Sequence, residues 1–165
     1  MTAKQQAFES LFAAHFIEIV RFAERRVGDT QTAEDIAQAT FELAWSRLDR
    51  QPITAPWLIK TAGNKVKEHL RRSRRKVSAD AALQRREEER PVGLDALESL
   101  ALRSALHLLT DRERTVVELT YWEGLSAQQI GEVLGASDKT VWVTLSRARA
   151  KMRPALERTT EGVQR

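Results

Sequence analysis

The sequence predicts an all-α protein of two small helical domains joined by a flexible linker, with a helix-turn-helix in the second domain. Apolar residues recur at helical spacings along most of the 165 residues, and no convincing strand interrupts them. A charged segment that ends in Pro91 and Gly93 divides the chain. Near the C-terminus, a short glycine-containing turn separates two amphipathic helices. These three observations together favour the fold class.

Three helices are predicted in the first domain, residues 1–76. The first covers about residues 5–27, and the second begins at a cap formed by Asp29 or Thr30 and runs to about Asp49. The third begins at Pro56, a favourable first-turn residue, and runs to about Arg75. The expected core residues are Phe8, Leu11, Phe12, Ile19, Phe22, Ala23, Ala33, Ile36, Ala37, Phe41, Ala44, Trp45, Leu48, Trp57, Leu58, Ala62, Val66 and Leu70.

Residues 77–94 are predicted to be the flexible linker, because they are charged, contain few large apolar groups and carry the proline and glycine. Their Ala, Glu, Gln and Arg content also favours a transient helix. Residues 95–158 form the second domain and residues 159–165 a tail. In this domain one helix extends to about Leu109, and the next begins at a capping box of Thr110 and Glu113.

The helix-turn-helix spans residues 125–153 and completes four helices in the second domain. Ser126 and Gln129 form a capping box at the start of its first helix. Gly135 ends that helix, and Ser137 caps the next. The second helix has one apolar stripe that must face its partner helix: Val141, Leu145, Ala148 and Met152.

The opposite face of this second helix is predicted to contact duplex DNA. In this motif the N-terminal half of the second helix enters the major groove, so Lys139, Trp142 and Val143 are expected at base edges and the later arginines at phosphates. An ordinary helical hairpin with a solvated basic end is the alternative, which the agreement of caps, glycine and stripe disfavours. The outward residues are Lys139, Trp142, Val143, Ser146, Arg147, Arg149, Lys151 and Arg153.

Charge is distributed unevenly, although the net charge is only +4. Residues 1–76 carry 14 basic and 9 acidic side chains, whereas residues 95–165 carry 10 of each. A neutral helix-turn-helix domain gains little from counterion release, so alone it should bind DNA weakly. The charge therefore favours a DNA-binding domain that a larger partner delivers, with a dimer on two half-sites as the alternative.

Several function classes find little support in the sequence. The chain has no cysteine, no apolar run of membrane-spanning length and no secretion signal at its start, so a cytoplasmic protein without disulfides is expected. The three histidines, His15, His69 and His107, lack metal-ligand spacing, and no nucleophile or phosphate-binding motif is present. We expect no catalysis, no metal and no cofactor.

Two sets of runs in the chain resemble the extracytoplasmic-function (ECF) sigma factors of bacterial RNA polymerase. In the first domain the runs are 33–45, Ala-Glu-Asp-Ile-Ala-Gln-Ala-Thr-Phe-Glu-Leu-Ala-Trp, and 56–64, Pro-Trp-Leu-Ile-Lys-Thr-Ala-Gly-Asn. In the second they are 109–114, Leu-Thr-Asp-Arg-Glu-Arg, and 145–149, Leu-Ser-Arg-Ala-Arg. The resemblance covers nearly the whole chain and implies a factor that binds core polymerase, recognises promoter minus-10 and minus-35 elements and promotes DNA opening.

The resemblance also implies partners and roles. Asp35, Gln38 and Glu42 share a flank of the second helix beside the stripe containing Phe41, and they would dock on the clamp helices of the largest polymerase subunit. Phe41 and Trp45 would support the core. Promoter DNA is the second partner, and an anti-sigma factor is a further partner that such proteins often have. No membrane insertion is implied.

Minus-10 DNA is expected at the third helix and the loop before it. The outward face of that helix combines polar groups with a dense basic end, which suits single-stranded DNA. By resemblance, the loop of residues 50–55 would hold a flipped base. The expected minus-10 contacts are Arg50, Lys60, Asn64, Lys67, Arg71 and Arg72, and the expected minus-35 contacts are Lys139, Trp142, Val143, Ser146, Arg147 and Arg149.

The chain departs from the family at Trp142-Val143-Thr144, where members commonly carry a Lys-Ser-Arg type of triplet. One hypothesis is a minus-35 preference that contains thymine, whose methyl group accepts apolar contacts. The other is that a regulatory protein or a domain contact covers Trp142.

Two other function classes stay open as minor alternatives: a dimeric repressor or activator, and an antagonist that mimics a sigma domain.

Overall fold

The computed structural model describes residues 1–76 and 96–163, with side chains for residues 1–76 and 100–158. Within these ranges every regular element is an α-helix. The chain divides into two compact units, Met1–Glu89 and Arg90–Arg165. The predicted linker, residues 77–94, lies outside the described residues, as do the side chains of the predicted tail. The helices are α1 (Ala3–Val27), α2 (Thr30–Arg47), α3 (Ala55–Lys76), α4 (Ala96–His107), α5 (Asp111–Tyr121), α6 (Ala127–Leu134) and α7 (Asp138–Val163).

Helices α1, α2 and α3 pack against one another in the first unit. Asp29, one of the two predicted caps, begins α2: its carboxylate accepts hydrogen bonds from the backbone N–H and hydroxyl of Thr32, at 2.9 and 2.5 Å. Thr54 was not predicted as a cap, but its hydroxyl accepts from the N–H of Trp57 at 3.3 Å and so fixes the start of α3. The core residues are Ile19, Phe22, Ala23, Ala33, Ile36, Ala37, Phe41, Ala44, Leu58, Ile59, Ala62 and Val66.

The N-terminal half of α1 is less buried than the sequence predicted. Phe12 is 38% exposed and Trp45 is 39% exposed. The prediction that these two side chains lie in the core is therefore wrong. Its ring lies edge-on to Phe8, with the centroids 5.1 Å apart, and the ammonium of Lys4 lies 4.4 Å from its centroid. Helical periodicity gives the direction of a side chain but not how completely its neighbours cover it, so it overstated the burial of Phe12 and Trp45. Phe8, Leu11, Leu48, Trp57 and Leu70 are half-buried.

The second unit confirms the predicted order of four helices. Thr110 and Glu113 form the predicted capping box at the start of α5. In α7 all four residues of the predicted stripe, Val141 to Met152, are buried. Pro154 lies inside α7, which continues to Val163, past the predicted end of the domain.

The turn between α6 and α7 matches its prediction and adds one requirement. Ser126 and Gln129 form the capping box, and Gly135 ends α6 with φ of 66°. Gly131, one turn earlier, is buried and its carbonyl accepts from the N–H groups of Gly135 and Ala136, the latter at 2.9 Å. A Cβ atom at Gly131 would lie 2.5 Å from the carbonyl oxygen of Ala136. The close approach of the turn to α6 therefore depends on this glycine.

Candidate polymerase and nucleic-acid interfaces

The predicted polymerase-docking residues lie on the exposed face of α2. Asp35, Gln38 and Glu42 are all exposed, on the side of the helix away from buried Ala37 and Ala44. The carboxylate of Asp35 accepts a hydrogen bond from the side-chain amide of Gln31 at 3.1 Å. Two carboxylates and two amides therefore form a continuous polar row that is accessible to another protein. We call Asp35, Gln38 and Glu42 the acidic row.

The predicted minus-10 residues on α3 are exposed, and the structure groups two of them. Lys60 and Asn64 line a groove of about 390 Å³ between α2 and α3, beside the half-buried ring of Trp57. The remaining lining residues are Leu43, Arg47, Thr61, Lys65 and Glu68. A basic and amide edge beside an aromatic ring suits an unstacked base and its phosphate.

The other minus-10 candidates lie outside the lining of this groove. Arg50 is exposed in the loop after α2, where its backbone N–H donates to the carbonyl of Arg47 at 2.8 Å. Lys67 and Arg71 are exposed further along α3. The guanidinium of Arg72 forms an ion pair with Glu68 at 2.5 Å, so part of its charge is compensated within the helix.

The predicted DNA-contacting residues of α7 are exposed. Opposite the buried stripe, Lys139, Val143 and Ser146 follow one another along the centre of the outer face, with Trp142 on one flank and Arg147 on the other. We call these five residues the recognition face. Ser137 caps α7 as predicted, because its hydroxyl accepts from the N–H of Thr140 at 3.2 Å.

Two basic residues of α7 are held by α5 through contacts that the sequence did not predict. The Nε of Arg149 donates to the hydroxyl of Tyr121 at 2.8 Å, and Tyr121 is itself 58% exposed. Lys151, predicted to project outward, donates instead to both carboxylate oxygens of Glu113, at 2.9 and 2.8 Å. The spacing within one helix carries no information on a partner 28 or 38 residues away, so sequence periodicity missed both pairs.

Glu113 joins helix capping to tertiary packing in the second unit. Its carboxylate accepts from Lys151 and from the backbone N–H of Thr110, and only 7% of the residue is exposed. The hydrogen bond from Lys151, followed by the one from Thr110, holds the pKa of Glu113 below its ordinary value of 4.5. The carboxylate is therefore ionised and pins the start of α5 to the middle of α7.

A metal centre does not form among the described residues: no three His, Asp or Glu side chains converge in residues 1–76 or in the described part of the second unit. His15 lies half-buried beside Glu18, with Nδ1 and a carboxylate oxygen 3.1 Å apart. Among the described residues, no helix is long and apolar enough to span a membrane.

Comparison with known sequences decides the family. The profile of Sigma-70 region 2 matches residues 11–76, which contain the acidic row and α3, and that of Sigma-70, region 4 matches residues 99–152, which contain the recognition face. RNA polymerase sigma factor CarQ of Myxococcus xanthus is 34% identical, and the match covers 92% of this chain and 90% of CarQ. The chain belongs to the ECF group of sigma-70-type sigma factors. This sigma factor recognises promoters and acts in transcription initiation.

Two further comparisons agree in sequence and in fold. The probable RNA polymerase sigma factor RfaY of Xanthomonas campestris pv. campestris is 33% identical over 92% of this sigma factor, which spans 41% of the length of RfaY. Among solved structures, CnrH in complex with the cytosolic domain of CnrY is 28% identical, with a TM-score of 0.65 and coverage of 93% of this chain and 89% of CnrH. The all-α fold in two units is thus the fold of a sigma factor.

Proposed function

We propose that the acidic row of α2 is the surface through which this sigma factor docks on the clamp helices of the largest subunit of core RNA polymerase. Asp35, Gln38 and Glu42 support this role because they are exposed and make up one side of the helix, while the opposite side is buried in the unit. Carboxylates and an amide suit complementary basic and polar groups on the partner helices. The observation that carries the proposal is that one three-helix unit exposes this row on α2 and a basic edge on α3.

The basic edge of α3 is the proposed minus-10 surface. Lys60 and Asn64 would contact the melted strand at the groove, where Trp57 offers an aromatic ring. Lys67 and Arg71, which are exposed further along the helix, would follow phosphates. Arg50 and Arg72 complete the set, with Arg72 exchanging its ion pair with Glu68 for a phosphate. Capture of unpaired bases would offset an unpairing cost of about a few kcal/mol for each flipped base.

The recognition face of α7 is the proposed minus-35 surface. Lys139, Trp142 and Val143 are at the N-terminal half of the helix, which in this motif lies deepest in the major groove. Ser146 and Arg147 follow one turn later, and Arg149 would contact a phosphate at the edge of the groove.

The remaining proposals concern the compartment, the domain roles and the regulation of this sigma factor. The factor contributes binding energy and no catalytic chemistry of its own, and it works in the cytoplasm, where bacterial RNA polymerase is found. Residues 1–76 would act as the docking and minus-10 domain, residues 77–94 as the linker, residues 95–158 as the minus-35 domain and residues 159–165 as a tail. CnrH was solved with the cytosolic domain of CnrY, and we propose that an anti-sigma protein likewise regulates this factor.

The test separates docking from DNA opening. Affinity for purified core polymerase is measured with a fluorescently labelled factor and with its Asp35→Ala/Gln38→Ala variant; Glu9→Ala, an exposed carboxylate on α1, is the matched control. We expect the double variant to bind core at least tenfold more weakly and the control to bind normally. Equal affinities for all three proteins would contradict the proposed docking surface.

DNA opening is measured by permanganate reactivity of unpaired thymines in the minus-10 region. The Lys60→Ala/Asn64→Ala variant should bind core normally and yet leave these thymines less reactive than the wild type does. Normal reactivity with this variant would remove the groove residues from the proposed minus-10 surface.

A further inference from the structure

The recognition face of α7 presents two apolar side chains where a DNA-contacting helix ordinarily presents hydrogen-bond donors. Trp142 is 54% exposed and Val143 is 42% exposed, and both belong to the first two turns of the helix. Val143 lies near the centre of the outer face, between Lys139 and Ser146. The part of the helix expected deepest in the major groove is therefore largely apolar.

The hydroxyl groups nearby are already engaged within the helix. The Thr144 hydroxyl donates to the carbonyl of Thr140 at 2.8 Å. The hydroxyls of Thr140 and Ser137 lie 2.9 Å apart, and Ser137 also caps the helix. These side chains hold the start of the helix together, so Trp142 and Val143 supply the apolar contacts of the recognition face, between Lys139 and Ser146.

The surroundings of this apolar pair fit DNA. Lys139 and Arg147 are exposed on either side of it along the helix, and Arg149 and Arg153 continue the positive charge toward the C-terminus. Cations around an apolar centre complement phosphates around a groove. The major-groove edges of the bases carry one apolar group, the C5-methyl of thymine.

We propose that Trp142 and Val143 determine minus-35 specificity by contacting the C5-methyl groups of one or two thymines. The inference rests on the proposed minus-35 role of α7 and adds the chemical group that this helix recognises. Because Val143 is central and Trp142 lies about 100° around the helix, their contacts fall on neighbouring base pairs. Each methyl group buried against them contributes about fourfold to affinity.

Replacement of thymine by deoxyuracil tests this directly, because uracil keeps every hydrogen-bonding group and lacks only the methyl. The minus-35 sequence is first selected from randomised promoters with core polymerase and the full-length factor. Duplexes with deoxyuracil at single minus-35 thymines on either strand are then compared by their affinity for the holoenzyme. We expect about a fourfold loss at one or two positions, and no loss at thymines outside the element.

The variants assign the methyl contact to particular side chains. Val143→Ala and Trp142→Ala should each bind the thymine duplex more weakly and become insensitive to deoxyuracil at one position. Leu156→Ala, which truncates another exposed apolar residue of α7, is the matched control and should keep the wild-type loss.

Three outcomes would overturn the inference. Equal affinity for thymine and deoxyuracil at every minus-35 position would show that the factor contacts no thymine methyl group. It would favour the alternative that a protein partner covers Trp142. A loss that persists in the Trp142→Ala/Val143→Ala double variant would assign the methyl contact to other residues. If the holoenzyme binds no promoter duplex at all, both the proposed function and this inference are wrong. The first two outcomes contradict the inference alone.

Discussion

Replacing Gly131 with alanine should loosen the helix-turn-helix, although alanine is the better helix former. The new Cβ would lie 2.5 Å from the carbonyl oxygen of Ala136 and 3.5 Å from its carbonyl carbon. Both are backbone atoms of a turn already fixed by the hydrogen bonds of Gly135 and Ala136 to Gly131, so no flexible side chain can move aside.

The expected size follows from two opposing effects. Forcing an extra methyl group into a packed site costs about 1–3 kcal/mol. Exchanging glycine for alanine inside a helix returns about 1 kcal/mol. The net loss of stability is therefore up to about 2 kcal/mol, which for a unit of this size lowers the melting temperature by up to roughly 16 °C.

Gly63→Ala is the matched control, because it makes the same exchange in the interior of α3. There the new Cβ would lie 3.7 Å from the Phe22 ring, an ordinary van der Waals contact. Only the gain in helix propensity remains, so this variant should stabilise the first unit by about 0.5–1 kcal/mol.

Hydrogen exchange measured by mass spectrometry on the full chain distinguishes the two units. Gly131→Ala should speed exchange in peptides from α5, α6 and α7 and leave α1, α2 and α3 unchanged. Gly63→Ala should slow exchange in α1, α2 and α3. If exchange in the second unit is as slow with Gly131→Ala as with the wild type, the close approach of the turn at Ala136 does not constrain this residue.

Three further results are expected. Glu113→Gln keeps the capping box but loses the charge paired with Lys151, so it should lower the free energy of unfolding of the second unit by about 1 kcal/mol at pH 7, measured in urea. Because the folded-state pKa of Glu113 is lowered, this contribution is present above pH 4.5 and declines as the pH falls from 4.5 toward the folded value. Tyr121→Phe frees Arg149 and should weaken holoenzyme binding to a minus-35 duplex about two- to fourfold, with little change in stability. Lys67→Ala should lower the slope of log affinity against log salt by about 0.7 on a melted minus-10 template.

Each of these results has its own control. The stability difference between wild type and Glu113→Gln should shrink on acidification, and a difference independent of pH would refute the ionised pair. Tyr121→Phe should have no effect on DNA binding once Arg149 is alanine; an effect that survives would give Tyr121 a separate role. Arg21→Ala, an exposed basic residue on α1, should leave the salt slope unchanged, and an equal fall with both variants would contradict the assignment to Lys67.

Local rules predicted the helix ends better than they predicted burial. Capping boxes at Thr110 and Ser126 and the glycine cap at Gly135 were recognised because each depends on residues within three or four positions. The helical period predicts Phe12 and Trp45 in the core, but it gives only the direction of a side chain and not how completely its neighbours cover it.

The candidate site likewise has features that the local sequence predicts and features that depend on tertiary packing. The exposure of both surfaces follows from periodicity alone, since the acidic row lies beside an apolar stripe and the recognition face lies opposite one. The pairs Tyr121–Arg149 and Glu113–Lys151 depend on how α5 crosses α7, which no spacing within either helix specifies. The need for glycine at position 131 likewise appears only when the distance to Ala136 is known.

Transcription with purified components tests the central claim most directly. Core polymerase is incubated with genomic fragments in the absence of this factor, with the wild-type factor, with the Asp35→Ala/Gln38→Ala variant and with Glu9→Ala. Specific transcripts should appear with the wild type and with Glu9→Ala, and should fade with the double variant. If the double variant supports the same transcripts as the wild type, the acidic row of α2 is not the polymerase-docking surface.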